Sequence, residues 1–301
     1  HMYDLFEIGL DGCNLKQLTA LRDSEDTEPC YMPDGRIAFT SSRKNRLVQC
    51  GDWALVFGVH IMNADGAGVR SITEEQETEF YPTMLSDGRI LYTRWDYVMK
   101  AYNVIQQLWS VNPDGTRPQL VYGDHFEFAD GPLAFQEARP IPGTSRLLTI
   151  GAAHHNSGVG PLMIVDMAKN RGGPDGMINF TPEVGYPEAT TPNTASEGGW
   201  YSSPYPLSEH MFLVSFSFER SHNADVYGLY LMDAFGGKEL IYRDPEMSCY
   251  SPIPIRTRPL ERIVPDMIDA PEGTPGVMVM ADVYQGLEGV ERGTVKYLRV
   301  C

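Results

Sequence analysis

Apolar and polar positions alternate in short runs along the chain, and two recurring turn phrases punctuate the runs. In the first phrase an apolar strand enters Asn-x-Asp-Gly or Asp-Gly and a second short strand leaves it. It occurs at Ile61–Gly66 before Val69–Thr73, at Leu108–Gly115 before Gln119–Tyr122, at Leu5–Gly12 before Leu15–Thr19, and in degraded form at Leu229–Asp233 before Glu239–Tyr242. In the second phrase Pro33-Asp-Gly-Arg36 precedes Ile37–Thr40 and Ser86-Asp-Gly-Arg89 precedes Ile90–Thr93. Alternation with period two marks half-buried strands. Asp-Gly between such runs is the strongest short hairpin signal, because Gly and Asp tolerate the positive φ that a tight hairpin requires.

Aligning on the second phrase exposes a column just before it: Glu28-Pro-Cys-Tyr-Met32, Tyr81-Pro-Thr-Met-Leu85, Glu137-Ala-Arg-Pro-Ile141, Ser203-Pro-Tyr-Pro-Leu207 and Ser251-Pro-Ile-Pro-Ile255. Its Pro or Ala positions, 29, 82, 138, 204 and 252, are separated by 53, 56, 66 and 48 residues. Two hairpins per period mean four strands per period, near the roughly 40–50 residues of a propeller blade with insertions. The predicted fold is all-β, a β-propeller of four-stranded blades filling residues 3–301. About six blades are expected, five led by the column and one contributed in part by residues 3–19, or seven if upstream residues are missing. His1-Met2 reads as a cloning scar, so the natural protein is expected to extend further upstream. A β-sandwich would share the short strands but not the ordered period.

Composition narrows the function. The formal net charge of −16 argues against nucleic acid, whose phosphates are bound by clustered Lys and Arg. No run approaches the roughly 18 apolar residues of a membrane helix, so no membrane partner is expected and the domain is read as soluble. The five cysteines, Cys13, Cys30, Cys50, Cys249 and Cys301, contain no Cys-x-x-Cys pair, which speaks against a zinc knuckle. A Cys30–Cys50 bridge is open if the segment between them is an excursion from a blade. Otherwise most of the five are expected as small buried hydrophobes.

Several strings resemble a known group: Glu28–Arg43, Leu85–Tyr97 with Tyr92-Thr-Arg-Trp-Asp-Tyr97, Leu108–Thr116, Glu137–Gly143 and the closing Asp282–Arg299 with its Arg292-Gly-Thr-Val-Lys296. They are similar to the propeller region of proteins related to the hydrazine synthase alpha subunit, with repeats in the style of TolB-type (PD40) propellers. The resemblance implies a large secreted or periplasmic bacterial protein in which this propeller sits beside other domains. It does not imply hydrazine synthesis. Hydrazine synthase works with c-type haems, whose covalent attachment needs Cys-x-x-Cys-His, and that string is absent from this chain. No covalently bound cofactor is therefore expected.

Propellers gather their innermost strands around a channel, and the column supplies them. Pleating sends alternate side chains the same way. Glu28, Tyr81, Glu137, Ser203 and Ser251 are thus expected in one ring, with Cys30, Thr83, Arg139, Tyr205 and Ile253 in another. Arg139 is the only basic residue in either ring and the expected anchor for a small polar or anionic ligand. The competing use of these charges is mutual pairing at the channel mouth. His154 and His155, after the apolar run Leu147–Ala153, are further candidates. Neighbours on a strand point to opposite faces, so a divalent metal is allowed but not demanded, and His60, His125 and His222 are read as scattered. Arg94-Trp-Asp-Tyr97 reads as an Arg–Asp brace under Trp95. The long segments Arg43–Gly58 and Asn170–Trp200 are candidates for serving a site or a neighbouring domain. No nucleophile elbow, phosphate loop or metalloprotease motif is present, so catalytic residues are unassigned. Two functions stay open at this point. One is a non-catalytic module binding a ligand, a partner or a neighbouring domain. The other is a carbohydrate-active enzyme, a polysaccharide lyase or glycoside hydrolase, with Tyr205 or a His as base beside Arg139.

Overall fold

The computed structural model of the chain describes residues 3–49, 51, 54–97, 105–123, 131–154, 158–169, 171–187, 198–218, 226–267 and 279–298. These fall into two compact units, residues 1–267 and 268–301.

In the first unit the repeat becomes a series of antiparallel sheets. Strands β1 (Phe6–Glu7) and β2 (Lys16–Gln17) form a two-stranded ribbon. The first blade orders β3 (Asp26–Tyr31), β4 (Ile37–Ser41), β5 (Gly58–Met62) and β6 (Arg70–Ser71) in sequence. The second contains β7 (Glu79–Met84), β8 (Ile90–Trp95), β9 (Gln106–Val111) and β10 (Gln119–Tyr122). The third contains β11 (Ala134–Pro140), β12 (Arg146–Ala152), β13 (Leu162–Asp166) and β14 (Met177–Asn179), and one parallel pairing of Ala134 with Gln106 joins it to the second. The fourth contains β15 (Trp200–Pro206), β16 (Met211–Ser217), β17 (Gly228–Asp233) and β18 (Lys238–Tyr242).

The cores lie between sheets. Leu5 with Ile37, Phe39 and Met62 seals the ribbon to the first blade. Ala38, Val59, Ile61 and Ile90, Tyr92, Val111 join the first and second blades. Leu91, Leu108, Tyr122 and Phe135, Leu147, Val165 join the second and third. Leu148, Ile150, Leu162 and Trp200, Phe212, Phe216 join the third and fourth. Sheets that hide their faces against their neighbours in chain order make a β-propeller. Its lead strands touch in the succession β3, β7, β11, β15.

The hairpins form by a chemistry slightly different from that expected. Gly35, Gly66, Gly88 and Gly115 have φ of 88°, 90°, 89° and 88°, while the preceding aspartates stay out of the left-handed region. Each Asp instead accepts the N–H two residues on: Arg36 to Asp34 at 3.0 Å, Arg89 to Asp87 at 3.1 Å, Ala67 to Asp65 and Thr116 to Asp114 at 2.9 Å. Glycine supplies the positive φ and aspartate the side-chain turn.

About six blades were expected, and the described residues show fewer. The described residues contain four complete four-stranded blades and the β1–β2 ribbon. The fifth column leads no strand, for residues 243–267 are irregular. Pro252 and Pro254 do not set it apart, since Pro29, Pro82 and Pro204 at the first position and Pro140 and Pro206 at the second lie within β3, β7, β11 and β15; what differs is the run Arg256-Thr-Arg-Pro259 that follows, where the other columns turn into a second apolar strand. Cysteine burial also departs from expectation: Cys13 is exposed, and Cys30 and Cys249 are half-buried free thiols, while Cys50 and Cys301 lie outside the described residues.

The second unit is described over residues 279–298 and carries no strand there. Tyr284 organises it. Its hydroxyl accepts the N–H groups of Gly293 at 2.5 Å and Val295 at 3.2 Å. Arg292 pairs with Asp282 at 2.7 Å and lies over the Tyr284 ring.

Candidate functional site

Each column begins at the same backbone irregularity. Glu28, Tyr81, Glu137, Ser203 and Ser251 have φ of 56°, 55°, 53°, 49° and 53°, a left-handed conformation that none of these residue types favours. In the four blades it coincides with a bulge, where two residues of the lead strand face one of the next, as Thr27 pairs Thr40 but Cys30 pairs Ala38. Simple pleating therefore does not set the two rings; the bulge does.

The first set of column residues is a linked layer. Glu28 Oε2 accepts the Tyr81 N–H at 2.7 Å and the Thr40 hydroxyl at 2.6 Å. Glu137 Oε2 accepts the Ser203 N–H, and the Ser251 hydroxyl reaches Ser203 Oγ at 3.4 Å. Gly158 closes the layer between Tyr81 and Glu137: a Cβ there would stand 3.3 Å from the Tyr81 hydroxyl and 3.4 Å from Glu137 Oε1. Desolvation pushes both carboxyls up to about 7. In Glu28 the Thr40 and Tyr81 hydrogen bonds oppose that rise. In Glu137 the Ser203 N–H and Arg139 oppose it while the Glu28 charge adds to it. Burial also raises the Tyr81 phenol well above its ordinary range.

Two residues along, Cys30, Thr83, Arg139 and Tyr205 line a cavity of about 620 Å³. Ile253 is not among its walls and is exposed, since the fifth column does not continue as a strand. The irregular segment takes its place. Arg256, Arg258, Leu260 and Glu261 complete the walls opposite Met84, Pro140 and Ile141. Arg258 contacts the Tyr205 hydroxyl at 3.5 Å, and the Arg139 guanidinium lies 5.2 Å from the centre of the same ring. Beyond the cavity the segment crosses the Asp-Gly-Arg turns of two blades. The Arg262 N–H points to the Ser86 carbonyl at 3.4 Å, and Asp266 pairs with Arg36 at 3.1 Å and Arg70 at 3.3 Å. Sequence reasoning found Arg139 and Tyr205 but missed Arg256, Arg258 and Glu261. The available signal was Arg256-Thr-Arg-Pro-Leu-Glu261, a charged run where an apolar strand was due.

The other candidates lie elsewhere. His154 is buried at the far end of β12, edge-on to Trp95 with ring centres 4.7 Å apart, and its carbonyl accepts from Gln106 at 3.0 Å. His155, His125 and His222 lie outside the described residues. His60 is buried, with Nδ1 2.9 Å from the Gly58 carbonyl, and desolvation lowers it to about 4. The expected Arg–Asp brace is present: Arg94 pairs with Asp96 at 2.7 Å and with Glu75 at 2.8 Å, and its guanidinium lies 4.1 Å from the centre of the Trp109 ring. The Arg43–Gly58 excursion pairs Leu47 with Leu55 and packs Val48 and Val56 on Trp95. Among the described residues no group of three or more His, Cys, Asp or Glu is placed to hold a metal.

This geometry meets its relatives at the level of sequence and fold. No family model matches the chain. Over 193 residues, 62% of this chain, it is 28% identical to the hydrazine synthase subunit alpha of Kuenenia stuttgartiensis. The chain is homologous to that subunit. The match spans 21% of the subunit's length, about a fifth. The solved Kuenenia stuttgartiensis hydrazine synthase superposes with a TM-score of 0.72 at 18% identity, covering 87% of this chain and 38% of that one. TolB from Acinetobacter baumannii superposes at 0.52 with 12% identity, covering 82% and 50%. Both superpositions concern the fold, and both agree with the propeller. Among the described residues no helix is long and apolar enough to cross a membrane.

Proposed function

We propose that the chain is a non-catalytic binding module of a larger secreted or periplasmic bacterial protein, and that its cavity takes a small polar anion. One observation carries the reading. In a chain of net charge −16, the cavity presents three guanidinium groups, Arg139, Arg256 and Arg258, against the single carboxylate of Glu261. Arg256 donates to the Leu207 carbonyl at 3.0 Å and Arg258 to Tyr205, whereas the Arg139 guanidinium lies over the Tyr205 ring and makes no side-chain hydrogen bond or ion pair among the described residues. Its planar donors stay available for a bidentate oxyanion. A volume of about 620 Å³ falls in the range that encloses a small organic molecule.

The carbohydrate-active alternative draws on Glu28 and Glu137, whose raised carboxyls resemble acid–base groups. One oxygen of each instead accepts an N–H of the next repeat, Tyr81 for Glu28 and Ser203 for Glu137, so the binding reading is preferred. Covalent haem and nucleic acid have no place in it. A neighbouring domain of the parent protein is the other partner the reading allows. Replacing Arg139 by Ala is expected to weaken a bound carboxylate about tenfold or more and leave the circular dichroism spectrum unchanged. Unchanged affinity would remove this cavity as the site.

A further inference from the structure

The cavity and the linked layer beneath it share one strand. Glu137 and Arg139 leave the same bulge of β11, with Arg139 lining the cavity. Glu137 is closed in by the Ser203 N–H and hydroxyl and by Gly158. The Arg139 charge acts on the Glu137 carboxyl through space, with no ion pair between them among the described residues, and it is also open to an anion in the cavity. We propose that the cavity binds an organic carboxylate in exchange for the charge on Glu137, so that capture of the ligand is accompanied by proton uptake at that side chain. The proposal rests on the anion-binding reading of the cavity and adds to it the ligand class and the coupling.

The electrostatics follow from the arrangement. The charged groups facing Glu137 are Glu28 from β3, Tyr81 from β7, Arg139 from its own strand and Tyr227 before β17. Arg139 is the one cation in that set. A carboxylate paired with its guanidinium cancels the charge that now favours ionised Glu137, while desolvation and Glu28 still oppose ionisation. The side chain, already poised near 7, takes up a proton. By reciprocity, protonating Glu137 strengthens the hold of Arg139 on the ligand. The walls suit a carbon-bearing acid better than a bare inorganic anion, because Met84, Pro140, Ile141 and Leu260 supply apolar surface beside the arginines.

The test is calorimetric titration of the whole chain with benzoate, glutarate and galacturonate, and with inorganic sulfate, in two buffers of different ionisation enthalpy. At least one carboxylate is expected to bind, with proton uptake near pH 7 and affinity about tenfold lower at pH 8.5 than at pH 6. Glu137→Gln keeps an acceptor for the Ser203 N–H. It is expected to abolish proton uptake and flatten the pH dependence while retaining binding. If that variant does not fold, Glu28→Gln serves instead: without the Glu28 charge the midpoint of the pH dependence moves to lower pH. Arg139-dependent binding with no proton uptake and no pH dependence overturns the coupling but leaves the anion site. Sulfate bound more tightly than every carboxylate overturns the ligand class. Binding of none of the four, or binding indifferent to Arg139→Ala, overturns the anion site itself.

Discussion

The first four columns and the fifth begin alike and end differently. Ser251 adopts the left-handed φ of 53° shared by Glu28, Tyr81, Glu137 and Ser203, and Pro252 is buried after it. From there the four run into strands whose next partners follow a tight turn. The fifth, with Pro254 where the third and fourth have Pro140 and Pro206, continues instead into Arg256-Thr-Arg-Pro259 and crosses the cavity as an irregular strap. The opening residue of a column is thus a local backbone device. A blade needs in addition a hairpin that returns the chain into a second strand. Where that was missing, the same opening produced the wall of a pocket.

Stability should divide along that line. Phe212 lies in the core between the third and fourth blades at 0% exposure, whereas Leu260 on the strap is 75% exposed. Phe212→Ala is expected to cost about 3–5 kcal/mol in urea unfolding, and Leu260→Ala less than about 0.5 kcal/mol. Comparable losses would mean that the strap is part of the core and that the contrast is false.

The strap's grip is testable at a finer scale. Gly35 and Gly88 occupy the same turn position, with φ of 88° and 89°. A side chain at 35 would meet nothing within 4 Å, whereas one at 88 would collide with the Arg262 carbonyl and approach Val264. Both Gly→Ala changes carry left-handed strain of roughly 1–2 kcal/mol. Gly88→Ala should cost about 1 kcal/mol more and weaken carboxylate binding, because the strap must shift. Equal costs in unfolding and equal affinities would show that the strap does not depend on this turn.

The linked layer is tested by pH. Glu28 and Glu137 rise from 4.5 to about 7 on folding, so the folded state binds more protons. The stability this contributes is present below the unfolded value and is lost as pH rises through about 7. The difference in unfolding free energy between wild type and Glu28→Gln/Glu137→Gln should fall from pH 5 to pH 8. His60, lowered to about 4, pulls the other way but is common to both proteins and cancels. A difference that stays flat or grows with pH would show that these carboxyls are not held protonated.

Local chemistry was legible in the residues: the alternation, the two Asp-Gly phrases and the period of the column determined strands, hairpins and the propeller. These signals act over a few residues or recur at a fixed spacing, so the chain carries them openly. The column alone singles out Glu28, Tyr81, Glu137, Arg139 and Tyr205. What it did not contain was the bulge that separates the Glu137 layer from the Arg139 cavity, since a left-handed Glu or Tyr follows no propensity of its own. Nor did it place Arg256, Arg258 and Glu261, which reach the cavity because the strap is anchored far away on Ser86, Arg36 and Arg70. Contacts between residues that distant in sequence leave no periodic trace, and only the folded stacking of the blades decided which charges would face one another.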